Sequence, residues 1–148
     1  MAISSHEKPN KGATDTWLTP PWLLERMGKF DLDPCPANGS DGLDIDWKGR
    51  VWLNPPYSKN SQFMKKMSTH RNGISLVFAR TETRWFQSYV FPFAHSILFL
   101  NKRLKFFKED GTEAKGNAGA PSVLISYTEK DTEILSMCQD LGPLIRIN

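Results

Sequence analysis

Four consecutive residues, Asn54-Pro55-Pro56-Tyr57, combine side chains suited to chemistry on a planar amino group. The lone pair of such a nitrogen is delocalised into the neighbouring ring, so it attacks poorly. Accepting a hydrogen bond from each N–H favours a tetrahedral nitrogen and offsets the positive charge that develops. Two acceptors are needed, with no competing donor. The Asn54 side-chain oxygen is one. The backbone carbonyl of Pro55 is the other, because proline has no N–H and its fixed φ holds that carbonyl in place. Pro56 stiffens the next step. Tyr57 offers a ring face on which a base that has left its helix can stack, worth about 1–3 kcal/mol. That offsets much of the few kcal/mol that extruding the base costs.

A methyl donor with an amino-acid tail, a ribose and an adenine calls for acidic and apolar partners. Asp33-Pro34 follows a short apolar segment, and its carboxylate suits the ammonium of such a donor. Asp46 is the alternative, either for the ammonium or for ribose hydroxyls. Trp17, Trp47 and Phe30 are candidates to pack against the donor's adenine or sulfonium. Each has a structural alternative, since aspartates at strand ends often cap turns and tryptophans are usually core.

These residues need elements to hold them. Residues 1–13 read as a flexible arm of Ser, Lys, Asn, Gly and Pro, leaving 14–148 as a single domain. Thr19 is placed to cap a helix over Pro21 to Met27 that stops at Gly28. Phe30 to Leu32 reads as a short strand, and 34–46 as a loop. Arg50 to Leu53 is a buried strand that ends at the two prolines. Ser58 is placed to cap a helix over 58–70, with Phe63, Met64 and Met67 as its apolar stripe. Ile74 to Ala79 is a second buried strand, Glu82 to Val90 a short helix and Ser96 to Leu100 a third strand. Leu104 to Phe107 and Ser122 to Tyr127 suggest a hairpin. A helix over Asp131 to Leu141, capped by Thr128 or Asp131, precedes a last strand at Leu144 to Ile147. The order predicts an α/β sheet, mostly parallel with a C-terminal hairpin. Such sheets bind ligands at the carboxyl ends of their strands, where Asp33 and Asn54 both fall.

The chain has 148 residues, which suits one compact domain, and a net charge of +3. Lys59, Lys65, Lys66, Arg80, Arg84 and Lys105 lie in a basic middle region beside an acidic segment at 31–46. That distribution suits a phosphate-facing surface next to a cofactor pocket, as well as ordinary solvated helix faces. Cys35 and Cys138 lie far apart and show no metal-ligand pairing, so they read as reduced thiols of a cytoplasmic protein without a metal. Met1 to Lys11 is polar and unlike a signal peptide, and no apolar run approaches a membrane span.

Several motifs in order resemble the DNA N-6-adenine methyltransferase family common in bacteriophages. Asp15-Thr16-Trp17-Leu18-Thr19-Pro20 resembles its Trp-x-Thr-Pro opening. Phe30-Asp31-Leu32-Asp33-Pro34-Cys35 resembles its Asp-Pro-Cys cofactor motif. Gly42-Leu43, Trp47 and Val51 to Ser58 resemble its catalytic block. Ala79-Arg80-Thr81-Glu82-Thr83-Arg84-Trp85-Phe86 resembles a further signature, and Arg103 to Phe106 with Ala120 to Leu124 its closing hairpin. The resemblance implies a Rossmann-like class I sheet, S-adenosylmethionine as donor and DNA adenine as acceptor. It gives Asn54, Pro55, Pro56 and Tyr57 the catalytic roles. Trp17, Thr19, Pro20, Asp33 and Pro34 fall in the cofactor elements. Arg80, Thr81 and Trp85 either shape the pocket or touch the flipped strand. The Gly-x-Gly turn of broader methyltransferases is missing, and Asn38 and Gly39 stand in its place. The 148 residues are expected to hold no separate target-recognition domain, so site choice is expected to fall to short segments such as 58–71 or 108–120. The family suggests evasion of host restriction, and leaves monomer and homodimer open.

Two other readings compete. The same tetrapeptide suits an RNA base or a protein glutamine as acceptor. An inactive DNA-binding relative is the third, against which the intact Asn54 and Tyr57 speak.

Overall fold

The longest apolar runs become strands with no exposed face. In the computed structural model, which describes residues 17–36, 41–108, 110–116 and 118–148, five strands form one sheet. They are β1 (Val51–Leu53), β2 (Gly73–Phe78), β3 (Ser96–Phe99), β4 (Ser122–Ser126) and β5 (Leu144–Arg146), in the order β1-β2-β4-β3-β5. Every residue of β1, β2 and β4 is buried. The helices are α1 (Pro21–Arg26), α2 (Asn60–His70) and α3 (Glu129–Ser136).

The sheet is mixed, not mostly parallel. Among the five strands, the β1–β2 pair alone is parallel. β2 with β4, β3 with β4 and β3 with β5 are all antiparallel. Strands buried on both faces read as continuous apolar runs, which is usually the mark of a parallel sheet. Here antiparallel strands are covered on both faces as well, so the pattern does not separate the two. The long connection after β3 returns the chain to the end it left, which makes β4 antiparallel to both neighbours. Among the described residues, Leu104 to Phe107 and β4 do not pair as the expected hairpin. Phe107 instead bridges Leu18 and Glu113, and β4 inserts between β2 and β3.

Smaller differences follow local chemistry. Phe30 to Leu32 contributes a single parallel bridge, Leu32 to Val51, rather than a full strand. Neither predicted cap at Thr19 or Ser58 forms. α1 has Pro20 at its N-cap and α2 has Lys59, neither with a side-chain cap bond. Thr128 does cap α3, accepting from Asp131 N, but α3 ends at Ser136 and a separate 3-10 turn spans Gln139–Leu141. The segment after β2 winds into a π-helical turn at Phe86–Val90. Residues 1–13 and the Asn38-Gly39 pair lie outside the described residues.

One charged hub pins the outer edge. The Arg50 Nε donates to buried Asp131 at 2.7 Å, and its other nitrogens donate to the Lys29 and Met27 carbonyls. Its guanidinium lies 3.8 Å from the Phe30 ring centroid. A single side chain thus ties the start of β1 to α1, to the Phe30 segment and to α3. Gly73 opens β2 where a Cβ would come within 2.0 Å of the Val51 carbonyl, so only glycine lets β1 and β2 approach here.

Candidate active site

β1 ends because Pro55 and Pro56 cannot continue a ladder. That places buried Asn54 at the carboxyl edge of the sheet. Asn54 Nδ2 donates to the Trp17 carbonyl at 2.8 Å and to Thr19 Oγ1 at 3.2 Å. A carbonyl only accepts, so the bond to Trp17 fixes which end of the amide is nitrogen. The planar group then carries Oδ1 on the side away from these partners. Thr19 Oγ1 also accepts from Trp52 Nε1 at 3.1 Å. The segment assigned from sequence to the cofactor therefore also orients Asn54. The Trp-x-Thr-Pro spacing carried that information, but no rule of spacing alone reveals a bond across 37 residues.

Pro56 is extended, with φ −56° and ψ 139°, and its carbonyl accepts from Lys59 N at 3.0 Å. The chain then turns through a 3-10 turn at Tyr57–Lys59 into α2. Tyr57 stays 45% exposed, with its ring edge-on to buried Phe78 at 6.3 Å between centroids. One side of the ring is thus braced while the residue keeps an open surface.

Tyr57, Ser58, Asn60 and Ser61 form one wall of a cleft of about 560 Å³, and Arg80, Glu82, Thr83 and Trp85 the other. The structure therefore brings Tyr57, the last residue of the tetrapeptide, to the same cleft as Arg80, Glu82, Thr83 and Trp85, whereas Asn54, Pro55, Pro56 and Thr81 do not line it. The turn carrying Arg80 is rigidly held. Thr83 Oγ1 donates to the Arg80 carbonyl at 2.7 Å and accepts from Phe86 N at 3.3 Å, and Gln87 Nε2 donates to the Thr81 carbonyl at 2.6 Å. Arg80 Nε and Nη2 are buried and have no partner among the described residues, as is Asn60 Oδ1. Sequence reading did not single out Asn60, since an asparagine at the start of a helix is common.

The bridge from Leu32 to Val51 continues as Trp52 N to the Leu32 carbonyl at 3.0 Å, which puts Asp33 beside the carboxyl end of β1. Asp33 Oδ1 accepts from Cys35 N at 3.0 Å in a tight turn. Although the residue keeps an exposed surface, the surrounding protein desolvates its carboxyl and raises its pKa, and the turn bond only partly opposes this. Burial, with Asp33 nearby, pushes the Cys35 thiol up to about 12, so it is not a thiolate at neutral pH. Gly42 lies so close to the turn that a Cβ would come within 2.0 Å of the Pro34 carbonyl. Trp17 Nε1 is buried with no partner among the described residues.

Other candidates take clear places. Trp47 is core: it donates to the Gly42 carbonyl at 2.8 Å and stacks with Phe63. Phe30 is covered by Arg50 and Trp52. Asp46 is exposed, and buried Pro20 precedes α1. Lys66 donates to the Leu43 carbonyl at 2.9 Å and to that of Ile45, bracing the 43–45 loop. Lys59 faces Asp41 at 3.8 Å and Lys105 pairs with Glu113 at 3.2 Å, while Lys65 and Arg84 are exposed. Among the described residues, no helix is long and apolar enough to cross a membrane.

Across the sheet, Asp33 follows the Leu32 bridge, Asn54 follows β1 and Arg80 comes shortly after β2, so Asn54 lies between an acidic side and the side that carries Arg80. The chain is similar to a DNA N-6-adenine-methyltransferase of Escherichia phage T1, 33% identical over 49% of this chain and 39% of the phage protein. The chain thus spans well under half the length of the curated relative it matches. No solved structure matches it. The model of the DNA N-6-adenine-methyltransferase (Dam) family matches residues 6–141, nearly the whole chain, and the chain belongs to that family.

Proposed function

We propose that this protein methylates the exocyclic N6 of adenine in DNA, with S-adenosylmethionine as donor. The observation that carries the reading is the locked Asn54 amide, whose Nδ2 is committed to Trp17 and Thr19. Its other end, Oδ1, is by its chemistry an acceptor. With the Pro55 carbonyl as second acceptor, both N–H bonds of an extruded adenine are held, and Tyr57 stacks on its ring. The amine gains a methyl group and gives up one proton to solvent.

The residues present fit the donor. Its sulfonium supplies an electrophilic methyl group. Asp33 suits its ammonium, and the unpaired buried Trp17 Nε1 suits one of its acceptor atoms. The parallel run of Leu32, β1 and β2 would serve as the cofactor-binding half of a Rossmann-like sheet. A DNA substrate is consistent with the cytoplasmic location expected from the sequence.

The test is incubation with labelled donor and either DNA or protein. Label should appear on adenine in DNA. Asn54→Ala should abolish transfer while leaving DNA binding largely in place. Label on protein alone, or an Asn54→Ala variant that methylates at the native rate, overturns the reading.

A further inference from the structure

Arg80 carries two unpaired nitrogens, Nε and Nη2, both buried. These are the two N–H groups on one edge of the guanidinium, the edge that grips an oxyanion through two parallel bonds. Arg80 as a whole is only partly buried, but native proteins rarely leave covered donors unmet. The rest of the cleft suits an anion. Ser61 and Thr83 bring hydroxyls to its walls. Glu82, its one carboxylate, is exposed and forms no ion pair with Arg80 among the described residues. The guanidinium carbon sits 5.9 Å from the Phe78 ring centroid, and Tyr57 leans on the same ring. Arg80 and the stacking face are thus set in fixed relation by one buried aromatic.

We infer that the Arg80 guanidinium, which lines the cleft, clamps a backbone phosphate of the target strand next to the extruded nucleotide, the entering strand uncovering its Nε/Nη2 edge. The inference rests on the proposed DNA-methylating function. Two sources of oxyanion are available to this cleft, a DNA phosphate and the carboxylate of the methyl donor. The topology favours the first. Asp33 and Arg80 flank Asn54 on opposite sides, because Leu32 pairs with one edge of β1 and β2 with the other. The donor's amino-acid tail, drawn to Asp33, is carried away from Arg80. Asn60 Oδ1, also buried and unpaired here, is an acceptor and takes no part in the clamp.

The experiment scans the strand with single neutral methylphosphonate linkages around a target adenine and measures binding by the wild-type protein. One linkage should weaken binding about 10-fold or more, the scale of a charge-assisted bidentate contact. In Arg80→Gln that linkage should no longer matter, and the slope of log K against log salt should flatten by about 0.9. Arg80→Lys should recover the salt slope but only part of the affinity, because a point charge lacks the fork. A flat scan with wild-type protein that still methylates DNA overturns the clamp and leaves the function standing. Weaker binding of S-adenosylhomocysteine to Arg80→Gln, together with a flat scan, assigns the edge to the donor carboxylate and also overturns it. Absence of any DNA binding sinks the underlying function instead. Because the scan uses wild-type protein, a variant that fails to fold does not remove the test.

Discussion

The Asn54 side chain donates to the backbone carbonyl of Trp17 at 2.8 Å. The first residue of the tetrapeptide is thus oriented by a segment that precedes the first helix. The bond couples two parts of the chain that a motif reading treats as separate, one for substrate and one for donor. It also settles the polarity of the amide, since a carbonyl cannot donate. Thr19 reinforces this as a shared acceptor for Asn54 and Trp52.

Thr19→Val should therefore lower turnover without unfolding the protein. It keeps the shape and removes the acceptor for two donors. Loss of one net hydrogen bond of about 1.4 kcal/mol in positioning gives roughly 10-fold in kcat. Thr19→Ser retains the oxygen and should restore most of it. Steady-state kinetics beside thermal melts check this: a loss of kcat that tracks a loss of folded protein would show that Thr19 serves stability alone.

Tyr57→Ala should weaken turnover more than Tyr57→Phe. The ring is braced by Phe78 and exposed at the cleft, so its face, not its hydroxyl, is what a base meets. Stacking of about 1–3 kcal/mol corresponds to roughly 5- to 150-fold in binding of the extruded base. Fluorescence of 2-aminopurine at the target position reads extrusion directly, and equal losses for the two variants would rule out stacking as the role.

Much of this site was legible in the residues, because its chemistry is local. Asn54 to Tyr57 are adjacent, Leu53-Asn54 sits at the end of β1, and Leu32-Asp33 follows a single bridge to β1. What the sequence left hidden is long-range. The direction of β4 depends on where a long connection re-enters the sheet, and both-face burial erased the alternation that separates antiparallel from parallel strands. Thr19 and Ser58 occupy ordinary capping positions, yet neither caps a helix, and Thr19 is drawn instead to Trp52 and Asn54. The pairing of Lys66 with carbonyls of the 43–45 loop, and the unpaired edge of Arg80, are likewise tertiary facts.

Asp33→Asn should stabilise the fold at neutral pH while weakening donor binding. Burial raises the Asp33 pKa above its ordinary value of 3.8. Between the unfolded and folded values the native state holds more protons, so stability falls as pH rises through that window. Above it the ionised carboxylate carries a desolvation cost, reduced by the surface that Asp33 keeps exposed. Asparagine removes the charge and keeps an oxygen for the Cys35 N–H. The melting temperature should rise by a few degrees at pH 7, with little change well below pH 4, while S-adenosylhomocysteine binds more weakly. Melts across pH with calorimetric titration check both halves. Unchanged donor affinity would remove Asp33 from the cofactor site.

Asp131→Ala should be the costly change, far from the chemistry. Asp131 is 1% exposed and holds Arg50 Nε at 2.7 Å. Removing it strands a part-buried guanidinium, which typically costs about 3–5 kcal/mol. For a domain of this size that lowers the melting temperature by roughly 10 °C. Asp131→Asn keeps an acceptor for Arg50 and should lose less. The pair grips the start of β1, whereas Asn54 follows its end, and the Asn54 amide is set by Trp17 and Thr19 rather than by α3. Activity per folded molecule, assayed well below the transition, should therefore match wild type in both variants. A fall in kcat at full occupancy of the folded state would mean that α3 and the Arg50 hub transmit strain along β1 into the site.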